Sequence, residues 1–163
     1  MEFPFRSAVV SVFVHATEDG SRVLRGLKVL LPEDVEIRQR KAKGHHGNPI
    51  TILSAIIRKR RLLREFQQRL MSRLRAGEKE KLAEVAIDRV GEDCCLYLRF
   101  DKQLAYGGEL VLTEGGDAIH VRIKIAAYPA KREVAVRLVK KFISSGLGRD
   151  RIYVKQEASG QVS

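Results

Sequence analysis

Apolar positions along the chain switch between a period of two and a period near 3.6, and the switches outline the elements. Val10, Val12 and Val14 alternate with Ser11, Phe13 and His15, as in a strand with one buried face. Thr17 reads as a helix N-cap, with Glu18 and Asp19 in a first turn where the helix dipole favours acids. Val23, Leu24, Leu27, Leu30 and Leu31 form one helical stripe that Pro32 stops. A strand is expected over 34–42, a loop over 43–49 (KGHHGNP), and a strand over 50–59 that is apolar on both faces and therefore central. Residues 61–75 put Leu62, Leu63, Phe66, Leu70 and Leu74 on one helical face, Gly77 breaks that helix, and 78–90 reads as a third. Strands over 94–101, 109–113 and 118–127 follow, separated by Gly107-Gly108 and by Gly115-Gly116-Asp117. Pro129 opens a last helix carrying Val134, Leu138, Val139 and Phe142 and ending near Gly146.

Strands joined by short turns imply an α+β fold. We expect one two-layer domain over 1–155: a mainly antiparallel sheet of about six strands, with about four helices on one face. A flexible polar tail would occupy 156–163. Alternation also orients the other face of the sheet. His120, Arg122 and Lys124 lie opposite the Ile119–Ile125 stripe, Tyr97 and Arg99 opposite Leu96, Leu98 and Phe100, and Arg38 and Arg40 opposite Val35 and Ile37. An ordinary solvated sheet face explains such a pattern as well as a binding surface does.

Charge tips that balance. Residues 37–75 hold twelve Arg and Lys against one acid, Glu65, so they carry +11, the whole net charge of the 163-residue chain. A solubilising surface intersperses both signs; a concentrated cationic field captures polyanions. Arg58, Lys59, Arg60 and Arg61 join a strand to a helix, and Arg61, Arg64, Gln68 and Arg75 continue one polar helix face. The only aromatic in this quarter, Phe66, falls on the apolar stripe. Without aromatics for base stacking, phosphate contacts along structured RNA with weak sequence preference are the expected mode, Tyr97 and Tyr128 being the exceptions.

Catalytic patterns are sparse. His15-Ala16-Thr17 matches one H-x-T triplet of the two-histidine phosphoesterases, but no second triplet accompanies it. His45 and His46 lack a partner set for a metal, and the adjacent Cys94 and Cys95 have the spacing of neither a zinc site nor a disulfide framework. No phosphate-cradling glycine loop or nucleophile elbow occurs, and nothing calls for a cofactor. The longest apolar runs are too short for a signal peptide or a membrane span, so a soluble cytoplasmic protein is expected.

Four segments in order, HATED (15–19), GHHGNPI (44–50), LYLRFDKQLAYGGEL (96–110) and AYPAKRE (127–133), resemble an archaeal family of RNA-binding proteins described as a predicted exosome-linked subunit. The resemblance covers roughly 5–143. It implies a fold similar to the large-subunit ribosomal protein that contacts 5S RNA, together with a role in RNA processing or degradation. The motif positions it carries over are Gly44, Gly47, Asn48, Pro49, Asp101, Lys102, Gln103, Tyr128, Pro129, Lys131 and Arg132. Several of these suit structural roles: Gly47 and Pro49 in a turn, Asp101 as a cap, Pro129 at a helix start.

The expected function is non-catalytic RNA binding, with no metal and no membrane, and with subunits of an RNA-processing complex as further partners. The candidate contacts are Arg38, Arg40, Lys41, Lys43, His45, His46, Asn48, Arg58, Lys59, Arg60, Arg61, Arg64, Arg99, Lys102, Arg122, Lys124, Tyr128, Lys131 and Arg132. An interaction subunit that docks an acidic protein partner is the alternative, and a phosphodiesterase using His15 a distant third. Oligomeric state is left open.

Overall fold

The structure, a computed structural model, describes residues 4–145. Its strands are β1 (Phe5–His15), β2 (Arg38–Lys43), β3 (Pro49–Ile57), β4 (Cys95–Asp101) and β5 (Ala118–Ile125). Its helices are α1 (Gly20–Leu30), α2 (Arg60–Arg73), α3 (Glu78–Val85), α4 (Lys102–Tyr106) and α5 (132–145), and a single 3-10 turn, Ile87–Arg89, follows α3. The strands form one sheet in the order β2-β3-β1-β5-β4, every neighbouring pair antiparallel. The two-layer α+β architecture expected from the sequence is the one found.

Burial follows the alternation. Ala8, Val10 and Val12 of β1, Ala55 and Ile57 of β3, and Val121, Ile123 and Ile125 of β5 are sealed beneath the helices. There they meet Leu27 and Leu30 of α1, Leu63, Phe66 and Leu70 of α2, and Ala135 and Val139 of α5 in one continuous core. Burying a side chain of this size contributes about 1.5–3 kcal/mol, so the shared core holds the sheet and the three longer helices together as a unit.

Four local expectations change. Asp19, not Thr17, caps α1: its carboxylate accepts from the Ser21 backbone N–H at 3.0 Å and from the Ser21 hydroxyl at 2.6 Å. The strand expected over 34–42 begins only at Arg38, because Val35 N–H donates to Pro32 O in a turn. The strand expected over 109–113 is reduced to two isolated bridges, Leu74 with Leu110 and Phe100 with Leu112. The residues before it form α4, capped by Asp101, whose carboxylate accepts from Leu104 N–H at 2.9 Å. The described sheet therefore has five strands. Finally, β3 is apolar on both faces yet covered on one only, so Ile56 stays 45% exposed. The expected end of the last helix near Gly146 and the tail beyond 155 lie outside the described residues.

Candidate nucleic-acid interface

The basic quarter is one edge of the molecule. β2 is an edge strand, and its alternation sends Arg38 and Arg40 to the open face of the sheet and Lys41 and Lys43 to the helix side. The hairpin closing β2 onto β3 is tight. Gly44 N–H donates to Asn48 O at 2.7 Å, Gly47 N–H donates to Gly44 O at 3.0 Å, and Gly47 sits at φ +77°, a conformation glycine adopts without strain. His45 and His46 stand exposed at its tip, ring edge to ring face with centroids 5.0 Å apart. Asn48 is exposed beside them. From this tip β3 runs its nine residues to Ile57, roughly 27 Å at strand rise, and delivers Arg58–Arg61 at the other end. The cations thus form a band along the edge rather than a single cluster.

The helix that receives this band starts against its own electrostatics. α1 and α4 begin on capping aspartates, and α3 has Glu78 and Glu80 in its first turn. α2 begins on Lys59, which makes no side-chain cap, followed by Arg60 and Arg61 with no acid in the turn. Unpaired N–H groups and the helix dipole already make that end positive, so cations there repel it until an anion arrives. Among the described residues, Arg38, Arg40, Lys41, Lys43, Arg58, Lys59 and Arg60 have neither a hydrogen-bonding partner nor an ion pair for their side chains, and all are exposed. Arg61 reaches Asp34 at 3.3 Å across open solvent, a contact of little energetic weight. Arg64 lies exposed one turn further on, beside Gln68. Arg75 departs from the expected helix face: it lies past the end of α2 and binds Glu109 through Nε at 2.8 Å and Nη2 at 2.5 Å.

Elsewhere several candidate cations are held by the protein itself. Lys102, at 7% exposure, is a buried charge. Its ammonium donates to Phe13 O at 2.8 Å, Glu18 Oε1 at 2.8 Å and Asp117 Oδ1 at 3.0 Å. Burial opposes ionisation of both acids, but these bonds outweigh it and hold both carboxyls below their ordinary range. His15 Nε2 lies 3.3 Å from the same Asp117 oxygen. The donor atoms of His15, Glu18 and Asp117 lie within 4.8 Å of one another, as metal ligands do, but the Lys102 ammonium already supplies the positive charge among them. Lys102, carried over as an RNA contact, is therefore placed as a structural tie. Arg132 is placed likewise: its guanidinium donates to Val90 O at 2.9 Å and Ile87 O at 2.8 Å, pinning the start of α5 to the turn after α3. Arg99 donates to Glu114 O at 3.3 Å and Lys124 to Asp93 O. Lys131 is exposed, as is Tyr128 at 94%, next to the cis peptide before Pro129. The buried Cys94 and Cys95 are free thiols away from the band, and burial pushes the Cys95 thiol up.

On the open face Arg38, Arg40, Tyr97, Arg99, His120, Arg122 and Lys124 do share one surface, in the register Tyr97–Arg122–Val9–Ile56 and Arg99–His120–Ser11–Ser54–Arg38. The sequence reading missed Phe13 and Ile56 there, exposed at 43% and 45%. The signal was present: Phe13 occupies the polar phase of an alternating strand, and β3 is apolar in both phases.

Together the fold and the band define a small basic α+β protein whose exposed charge suits a phosphate backbone rather than a buried small-molecule site. A model of the RNA-binding family matches residues 7–125. The RNA-binding protein PAB1135 of Pyrococcus abyssi is 41% identical over 139 residues, spanning 82% of this chain and 90% of that one. Two solved archaeal structures align along nearly their whole length. Mth689 of Methanothermobacter thermautotrophicus is 37% identical with a TM-score of 0.74, covering 86% of this chain and 99% of that one. AF2318 of Archaeoglobus fulgidus is 36% identical with a TM-score of 0.76, covering 84% and 98%. The chain belongs to this archaeal RNA-binding family. No helix among the described residues is long and apolar enough to cross a membrane.

Proposed function

We propose that the protein holds structured RNA by its phosphate backbone, without catalysing a reaction on it, in archaeal RNA processing or degradation. The observation that carries this reading is the edge from Arg38 through the GHHGNP hairpin to Arg60, where seven exposed cations lack partners among the described residues and α2 begins on positive charge alone. A local conflict of this kind is relieved when phosphate oxygens accept from the free N–H groups and the guanidinium forks. Membership of the RNA-binding family points to RNA as the source of those phosphates. Binding that neutralises about six of them makes log affinity fall with log salt at a slope of about −4 to −5. The test is a salt titration of binding to a folded RNA, by fluorescence anisotropy, with the wild type and with Arg58, Lys59, Arg60 and Arg61 all changed to Glu. A slope near zero, or unchanged affinity in the variant, overturns the proposal.

The link to an exosome-type complex rests on the resemblance and has its own test. The observation that favours docking to an acidic protein is that β2 is an edge strand with exposed backbone and basic side chains. A partner retained on the tagged protein after nuclease treatment would support that reading, and its loss would support tethering through RNA.

A further inference from the structure

We infer that the open face of the sheet is a stacking platform for unpaired bases, so that the preferred ligand is RNA with a single-stranded segment beside its folded part. This deepens the phosphate-binding reading above and rests on it. An open sheet face with polar outward residues needs no partner, but this one carries apolar and aromatic groups where solvent should favour polar ones. Phe13 and Tyr97 are 43% and 41% exposed, and Ile56 is 45% exposed. Phe13 and Tyr97 line one open concavity of about 710 Å³, with Arg122 and His120 between them. Tyr97 is held in place by its hydroxyl, which donates to Asp93 and leaves the ring on the surface. Arg122, directly across from Tyr97 in the register, is exposed, and its side chain has no hydrogen bond or ion pair among the described residues.

The chemistry selects bases rather than a protein surface. Arginine beside an exposed ring is the arrangement that sandwiches a nucleobase, because both the ring and the guanidinium present flat faces. The one acid in register with this face, Asp101, ends β4 and is occupied in capping α4, and Asp93 just before β4 is occupied by the Tyr97 hydroxyl and the Cys95 N–H, so the strands present cations rather than free acids. Arg38 and Arg40 carry the cationic band onto the same face from its far edge. Paired bases are closed to such a surface: they are stacked inside the helix, and the deep, narrow major groove of A-form RNA does not admit side chains. Strand geometry separates the two rings by roughly 16 Å, too far for neighbours stacked at about 3.4 Å, so they would take bases some nucleotides apart along an extended strand.

Two RNAs test this in parallel by fluorescence anisotropy: a blunt duplex, and the same duplex with an unpaired 3′ hexanucleotide. The wild type should bind the tailed RNA about tenfold or more tightly than the blunt one. In Phe13→Ala/Tyr97→Ala that advantage should vanish, while affinity for the blunt duplex, its salt dependence and the melting temperature stay as in the wild type. Tyr97→Phe, which keeps the ring but loses the tether to Asp93, should retain most of the advantage for the tailed RNA. No advantage for the tail in the wild type, or an equal loss on both RNAs in the double variant, overturns the platform and leaves phosphate binding standing. A dimer abolished by the double variant, with both affinities unchanged, assigns the face to self-association and also overturns it. A wild type that binds neither RNA brings down the phosphate-binding proposal, and the platform with it.

Discussion

At the β2 edge, Arg38, Arg40, Lys41 and Lys43 project from the strand with no partner among the described residues, and Arg58, Lys59 and Arg60 continue the series at the far end of β3. At the opposite edge, around β4 and β5, Arg99 and Lys124 donate to backbone carbonyls, Arg132 donates to two, and Lys102 is buried among two carboxylates and a carbonyl. Both edges are rich in cations. The difference lies in where acceptors are available: the loops flanking β4 and β5 supply Asp93, Glu114 and Asp117, whereas residues 37–75 contain only Glu65, which pairs with Arg69. Charge that its own fold neutralises builds structure, and charge left without acceptors is available to a polyanion. The distinction holds residue by residue, since Arg75 in the basic quarter is bound by Glu109, Arg61 meets Asp34 only through a solvent-exposed pair of little weight, and Arg122 near the far edge has no acidic partner among the described residues.

The sharpest way to break this contrast is to invert the first edge. Changing Arg58, Lys59, Arg60 and Arg61 to Glu should weaken binding of a folded RNA by about 100-fold or more and flatten the salt slope by about 3, one phosphate contact per removed cation. The melting temperature should hold or rise, because acids then stand at the start of α2. The second edge should answer in the opposite sense. Lys102→Ala leaves Glu18 and Asp117 facing each other without a cation; as Asp117 is half in solvent, the expected loss is about 2–3 kcal/mol, or a drop of about 5–10 °C in Tm by calorimetry. RNA affinity measured well below that Tm should be unchanged. If Lys102→Ala instead flattens the salt slope, the division of labour between the edges is wrong.

The same cluster makes a pH prediction. Glu18 and Asp117 ionise more easily in the folded protein than in the unfolded chain, so the folded state binds fewer protons as pH falls. Their contribution is complete above the unfolded values, near 4.5 and 3.8, and is lost as pH drops through the lower folded ones. Urea midpoints should therefore decline below about pH 4.5 in the wild type. In Lys102→Ala that part of the decline should shrink, because the principal lowering partner is gone and only the contacts from His15 still favour the carboxylates.

How much of this could be read from the sequence follows the same division. The basic edge was legible because its charges are consecutive or alternate within single elements, and strand period two placed Arg38 and Arg40 on the open face without any tertiary knowledge. The far edge was not, because the groups that capture Lys102 lie 15 and 84 residues away and those that capture Arg132 lie 42 and 45 away, separations that no local pattern reports. The strand expected over 109–113 failed for a related reason. Its alternation is real, but α4 intervenes and the segment touches α2 and β4 at one bridge each, so no ladder forms. Inference from aromatic content draws on the basic quarter alone. Alternation already places Tyr97 on the face shared with Arg38 and Arg40, whereas Phe13, also outside the basic quarter in sequence, joins that surface through the register of the sheet.

The smallest expected effects test the contrast most finely, because they compare two arginines whose partners differ in kind. Arg132→Ala removes two donors from Val90 O and Ile87 O, partly buried carbonyls at the junction with α5, and should cost about 1–2 kcal/mol with no change in RNA affinity. Arg61→Ala removes a solvent-exposed ion pair with Asp34 and should cost less than about 0.5 kcal/mol, yet lower the salt slope by about 1. Chemical denaturation and the anisotropy titration together read both quantities for both variants. Crossed outcomes, stability without binding for one arginine and binding without stability for the other, are what the two-edge account requires. If Arg61→Ala moved stability alone, the Asp34 pair would be its purpose, and the cationic band would end one residue earlier, at Arg60.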